Sequence, residues 1–67
     1  MSVDFRIYYE GALIGIRPCN EEAGVWIDEN LHWEPWQWLG GVLWIDRRYL
    51  EKILDGMHEE GLTFNDA

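Results

Sequence analysis

Glu51, Asp55 and Glu59 recur at every fourth position near the end of a 67-residue chain. On an α-helix that spacing sets three carboxylates along one edge, about 6 Å apart along the axis. Like charges so placed weaken a helix by roughly a few tenths of a kcal/mol per pair, so helix stability does not account for them. Duplex DNA carries one charge per strand every ~3.4 Å of axis. A carboxylate row of this kind, with Glu60, Asp28, Glu29 and Glu34 elsewhere, can imitate part of a phosphate backbone. The second feature is aromatic. Trp26, Trp33, Trp36, Trp38 and Trp44 all fall within 19 residues. A domain this small fully buries about two or three indoles, because each needs surrounding mass and an N–H partner. Trp26 and Trp44 are assigned to the core, whereas Trp33 and Trp36 are candidates for a partner surface, where tryptophan is enriched.

The carboxylates could also serve general acid–base chemistry, with His58 as a proton carrier. No nucleophile sits beside a base, however, and there is no Gly-rich phosphate loop or His-x-His pattern. Ser2 and Thr63 are the only serine or threonine hydroxyls. So short a chain leaves little room for a water-excluding pocket of roughly 300 Å3 or more. His58 belongs on an exposed helix face beside Glu59, and Cys19, after Pro18, reads as a small buried filler. His32 and His58 form no ligand pattern with Cys19, and one cysteine makes no internal disulfide. The expectation is a non-enzymatic protein with no metal and no cofactor.

Thirteen acidic residues face five basic ones, for a net charge of −8. Direct nucleic-acid binding is disfavoured, since neutralising phosphates takes lysine and arginine, and only Arg47, Arg48 and Lys52 cluster. The same field attracts a basic surface on a partner protein. The start "MSVDFRIYY" lacks the basic segment and apolar run of a signal peptide, and no stretch approaches the ~20 apolar residues of a membrane span. A lone cysteine without an export signal fits a reducing cytoplasm, and the chain is expected to be a monomer.

The elements that must position these residues follow from periodicity. "VDFRIYY" alternates, with Val3, Phe5, Ile7 and Tyr9 on one face, and "ALIGIRP" returns as its hairpin partner after Glu10-Gly11. Asn20 can cap a short helix or turn with Glu21 and Glu22 in its first turn, while Gly24, Val25 and Ile27 pull the same segment toward an extended form. "PWQWL", Gly40-Gly41 and "VLWI" read as a second hairpin, which would put Trp36 and Trp38 on one face. The strongest helix starts at Asp46 as N-cap, buries Leu50, Ile53, Leu54 and Met57, and stops at Gly61; Arg47 can pair with Glu51. Gly56 inside that helix costs ~1 kcal/mol relative to alanine without a reason legible in the sequence. Leu62 and Phe64 can dock the tail. The chain thus reads as one compact α+β domain over residues 1–67: a small antiparallel sheet of three to four strands in two hairpins, packed against one C-terminal amphipathic helix, with a short helix or turn near residues 20–31. The Trp-Ile-Asp triplet occurs at Trp26 and again at Trp44. The second copy ends a strand and caps a helix, and Asp28 of the first is expected to cap a turn. Different sequels argue against a true repeat.

A tiny acidic single-domain chain, without an export signal or catalytic motif, resembles the small anti-CRISPR proteins of phages and mobile elements. The residues carrying the likeness are the acidic helix "DRRYLEKILDGMHEEG" and the Trp-rich "WIDENLHWEPWQWLGG". The likeness is one of kind, because those proteins share no common motif. It implies binding to the basic DNA-binding surface of a CRISPR-Cas effector, a multisubunit surveillance complex in preference to a single-chain nuclease, and occlusion of target DNA. The alternatives are a small adaptor that binds another protein through an exposed tryptophan surface, and an acidic phage inhibitor of a restriction or toxin system.

Overall fold

Alternating apolar residues build the first hairpin as expected. The computed structural model describes residues 3–66. β1 (Phe5–Glu10) and β2 (Leu13–Pro18) pair antiparallel, from Phe5 opposite Pro18 to Glu10 opposite Leu13. The chain reverses through Gly11, at a φ of 59° that residues with a Cβ adopt reluctantly. Phe5 and Ile7 are fully buried and Tyr9 packs at the margin of the same core.

The ambiguous middle segment is a helix. α1 (Glu21–Asn30) is capped by Asn20, whose Oδ1 accepts the Ala23 N–H at 2.8 Å, with Glu21 and Glu22 in the first turn. Ala23, Trp26 and Ile27 make its buried stripe, and burial of that stripe outweighs the poor helix propensity of Gly24 and Val25. Asp28 therefore does not cap a turn; it is an exposed residue inside the helix. Cys19, at the corner between β2 and the Asn20 cap, is exposed, not a buried filler.

The second hairpin is shorter than expected. Pro35–Gln37 winds into a 3-10 turn, so β3 is only Trp38–Leu39 before Gly40 and Gly41 turn the chain at positive φ into β4 (Val42–Asp46). The turn breaks the alternation that would have put Trp36 and Trp38 on one face. Trp38 packs on the core, whereas Trp36 projects outward. Asp46 then does cap: its Oδ1 accepts the Arg48 N–H at 2.9 Å, and a 3-10 turn over Arg47–Tyr49 leads into α2 (Leu50–Glu59). Arg47 pairs with no Glu51. Its guanidinium donates to the Gly11 carbonyl and lies over the Tyr9 ring, drawn back to the first hairpin.

At the end of α2, Gly61 takes a φ of 73°, its N–H donates to the His58 carbonyl, and the Leu62 N–H donates to the Met57 carbonyl at 2.9 Å. This double bond pattern stops the helix and drops Leu62 into the core. The tail then does more than dock. β5 (Phe64–Asp66) joins the sheet parallel to β1, with Phe64 opposite Phe5. The sheet accordingly has five strands, in the order β3-β4-β2-β1-β5, and is mixed, where three to four antiparallel strands were expected. The fold class is α+β.

A clamp absent from the sequence reading holds this closure. The Asp4 carboxylate accepts from the Thr63 N–H at 2.9 Å and from the Asn20 side-chain amide at 2.8 Å. One side chain thus joins the entry to β1, the entry to β5 and the cap of α1. The Thr63 backbone bond, then the Asn20 amide, hold its carboxyl below the ordinary value of 3.8.

Both helices cover one sheet face, where Phe5, Ile7, Ile14, Ile16, Ile27, Leu43 and Met57 are fully buried. Each such side chain contributes on the order of 1.5–3 kcal/mol. Trp26 stands edge-on to Phe5 at 5.6 Å, and the other side of its ring explains Gly56: a Cβ there would lie 3.1 Å from Trp26 Cζ2. Trp44, assigned to the core from sequence, lies half-buried on the opposite face across Gly15, where a Cβ would stand 2.8 Å from its ring.

Candidate functional site

The acidic residues concentrate on the helical side. Glu51, Asp55 and Glu59 are exposed along α2. At 3.6 residues per turn they centre on the side directly away from the buried stripe of Ile53 and Met57. Glu21, Asp28 and Glu29 are exposed on α1. Glu29 and Glu60 come together with Glu22 around a shallow groove of about 340 Å3 between α1 and the end of α2, floored by Trp26 and Leu62. Among the described residues the one salt bridge joins Arg48 Nε to Asp46 Oδ2 at 3.5 Å, so these helical carboxylates are open to external cations.

A second, larger feature flanks α2. A half-open groove of about 780 Å3 runs between the end of α1, the Pro35–Gln37 turn and the first two turns of α2. The short β3 creates it: with only two residues paired to β4, the chain upstream swings away and leaves the Trp44–Asp46 end of β4 uncovered on that side. Gln37 bridges part of the gap, donating from Nε2 to the Trp44 carbonyl at 3.2 Å and accepting the Glu34 N–H at 2.6 Å. Trp36 stands at the rim, 78% exposed, and Tyr49, 48% exposed, lines the same groove from the 3-10 turn that enters α2. Sequence reasoning expected little room for an enclosed pocket, and this groove is open to solvent.

The candidate residues therefore divide. Glu51, Asp55 and Glu59 form one edge, and Glu29 and Glu60 meet at the smaller groove. Trp36 sits at the larger one, and Glu34, exposed at the start of the 3-10 turn, lines neither groove. Trp33 is half-buried, set edge-on against Trp38 at 5.5 Å, and props the turn that presents Trp36. Tyr49, His32 and Lys52 line the larger groove and were not singled out from sequence. The 3-10 entry turn sets Tyr49 outward, off the buried stripe of α2. The indole N–H groups of Trp26 and Trp38 are buried without an acceptor among the described residues, against the expectation that each finds one. His58 is exposed on α2.

Among the described residues no three His, Cys, Asp or Glu side chains converge as a metal site, and no helix is long and apolar enough to cross a membrane. No protein-family model, curated protein or solved structure matches the chain. The surface thus carries an outward carboxylate edge on α2 beside an aromatic groove, with Lys52 between them.

Proposed function

We propose that the protein is a non-enzymatic inhibitor that sets its acidic helical face on the basic DNA-binding surface of a CRISPR-Cas effector and keeps target duplex out. A multisubunit surveillance complex is the preferred target. The observation that carries this reading is the exposed row Glu51, Asp55 and Glu59, which no cation of the described chain neutralises. Lysines and arginines that gather for the PAM and duplex supply the missing partners. Trp36 and Tyr49 add apolar anchorage beside the charge. The choice of a CRISPR effector rests on the likeness to small anti-CRISPR proteins; the charge and the groove support the mode of binding.

A second reading draws on the exposure of Trp36 at the rim of the groove: a small adaptor that grips its partner through the aromatics, with acidity serving solubility. Competition separates the two. The protein is incubated with a surveillance complex before labelled duplex is added, at low and high salt. Loss of duplex binding that fades with salt, and that Asp55→Lys with Glu59→Lys abolishes, supports the inhibitor. Binding that ignores salt but is lost in Trp36→Ala supports the adaptor. Duplex binding untouched across several effector types refutes the CRISPR target.

A further inference from the structure

The sheet face away from the helices has an order of its own. Register places Arg6 opposite Arg17, then Tyr8 opposite Gly15 and Trp44, then Glu10 opposite Leu13 and Asp46. The face therefore carries three rows across the strands: a basic row at one end, an aromatic row in the middle and an acidic row at the other end. Arg6 and Arg17 are direct cross-strand partners, an unfavourable placement for like charges. Neither has a carboxylate within salt-bridge distance among the described residues, although the chain holds thirteen acids. The middle row is apolar, with Trp44 laid across Gly15 and its ring 6.5 Å from that of Tyr8. Leu13 adds a side chain 44% exposed.

We infer that this face takes a second copy of the chain, sheet against sheet, about a two-fold axis running along the aromatic row. Rotation about that axis turns one sheet onto the other and exchanges the two outer rows, as a self-complementary contact requires. Arg6 then faces the partner's Glu10, and Arg17 lies over the partner's Leu13, flanked by the partner's Glu10 and the partner's Asp46; the reverse pairing repeats across the axis. Asp46 already holds Arg48, so Glu10, exposed and without an ion pair among the described residues, is the main acceptor. Tyr8 and Trp44 meet their own counterparts on the axis and leave water. The charge order excludes the opposite stacking, which would bring the two arginine pairs together. Six-residue strands span roughly 20 Å, a small face that places the contact at the weak end of specific interfaces. Dimerisation replaces the monomer expected from sequence, leaves the acidic helices of both copies facing outward, and holds whatever protein they bind.

Sedimentation equilibrium of the full chain at low salt, from micromolar to submillimolar concentration, tests this. The expected result is a reversible dimer of the 8.0 kDa chain. Arg6→Glu alone, or Glu10→Arg alone, weakens association about tenfold, since each lost pair counts for a factor of roughly two to five and symmetry counts it twice. The chain carrying both changes regains the dimer, because the pair between positions 6 and 10 of the two copies re-forms with its charges exchanged. All three variants alter exposed side chains and keep the circular dichroism of the parent. A monomer throughout overturns the inference, as does a dimer indifferent to Arg6 and Glu10, or a double variant as weak as the singles.

Discussion

Two glycines in helices should respond oppositely to alanine. Gly24 lies in α1 with nothing within 4 Å of an added Cβ, whereas Gly56 lies in α2 with Trp26 Cζ2 at 3.1 Å. Alanine gains ~0.5–1 kcal/mol of helix propensity at an unobstructed site. Gly24→Ala should realise that gain, raising Tm by about 4 °C or more in a domain of this size. Gly56→Ala starts from the same gain but must displace a nearly fully buried indole that stands against Phe5. Overpacking of a close-packed core costs roughly 1–3 kcal/mol, so the net change falls between about zero and a 2 kcal/mol loss. The two variants should therefore differ by about 1–3 kcal/mol. Urea titrations followed by circular dichroism at equal m-values read that difference directly. If Gly56→Ala stabilises as much as Gly24→Ala, the Trp26 ring does not rest on Gly56 and the account of that glycine is wrong.

Two further substitutions probe the sheet. Asp4→Asn removes a carboxylate whose folded-state pKa is lowered by the Thr63 N–H and the Asn20 amide. Such a group stabilises fully above its unfolded value and loses that contribution as pH falls through the lowered folded value. The variant should be less stable than the parent at neutral pH, with the gap closing as acid titrations pass below 3.8; a gap that stays constant would show that the charge is irrelevant to the clamp. Gly15→Ala puts a Cβ 2.7 Å from Val42 Cγ1 and 2.8 Å from the Trp44 ring, so it should cost about 1–3 kcal/mol in denaturant titrations and shift the tryptophan emission as Trp44 is displaced. An unchanged midpoint and spectrum would remove Trp44 from its place across the strand.

What could be read from the sequence was what local chemistry determines. Alternation from Phe5 to Tyr9, the Asn20 and Asp46 caps, the Gly40-Gly41 turn and the stop at Gly61 each act within a few residues, and each stands in the fold. Misread positions depend on partners distant in sequence. β5 forms because Phe5 offers a free edge and Asp4 holds Thr63, which no pattern in "LTFNDA" announces. Trp44 was assigned to the core because it is large and apolar, but its parity in β4 puts it on the other face, over a glycine that is the only residue slim enough to lie beneath it. Arg47 was matched to Glu51 by helical spacing, yet the 3-10 entry to α2 breaks that spacing and Tyr9 claims the guanidinium. At the candidate site, the carboxylate row of α2 was legible because helical period alone exposes it. The groove was not, since it arises from a strand cut short by Pro35 and from helices brought together only by folding.

Late pairing of β5 with β1 bears on how the chain is made. Phe5 sits at the start of the fold and its neighbour Phe64 near the end, so the contact that seals that edge of the core joins residues 59 positions apart. On a ribosome the first hairpin, α1 and the second hairpin emerge in order and can begin to pack. Through all of that interval β1 has a bare edge, and the Phe5 ring lacks its outer wall. A strand edge in that condition is a template for pairing with another nascent chain. The exposed, charged Arg6 set between Phe5 and Ile7 is suited to hold such encounters off until the tail arrives.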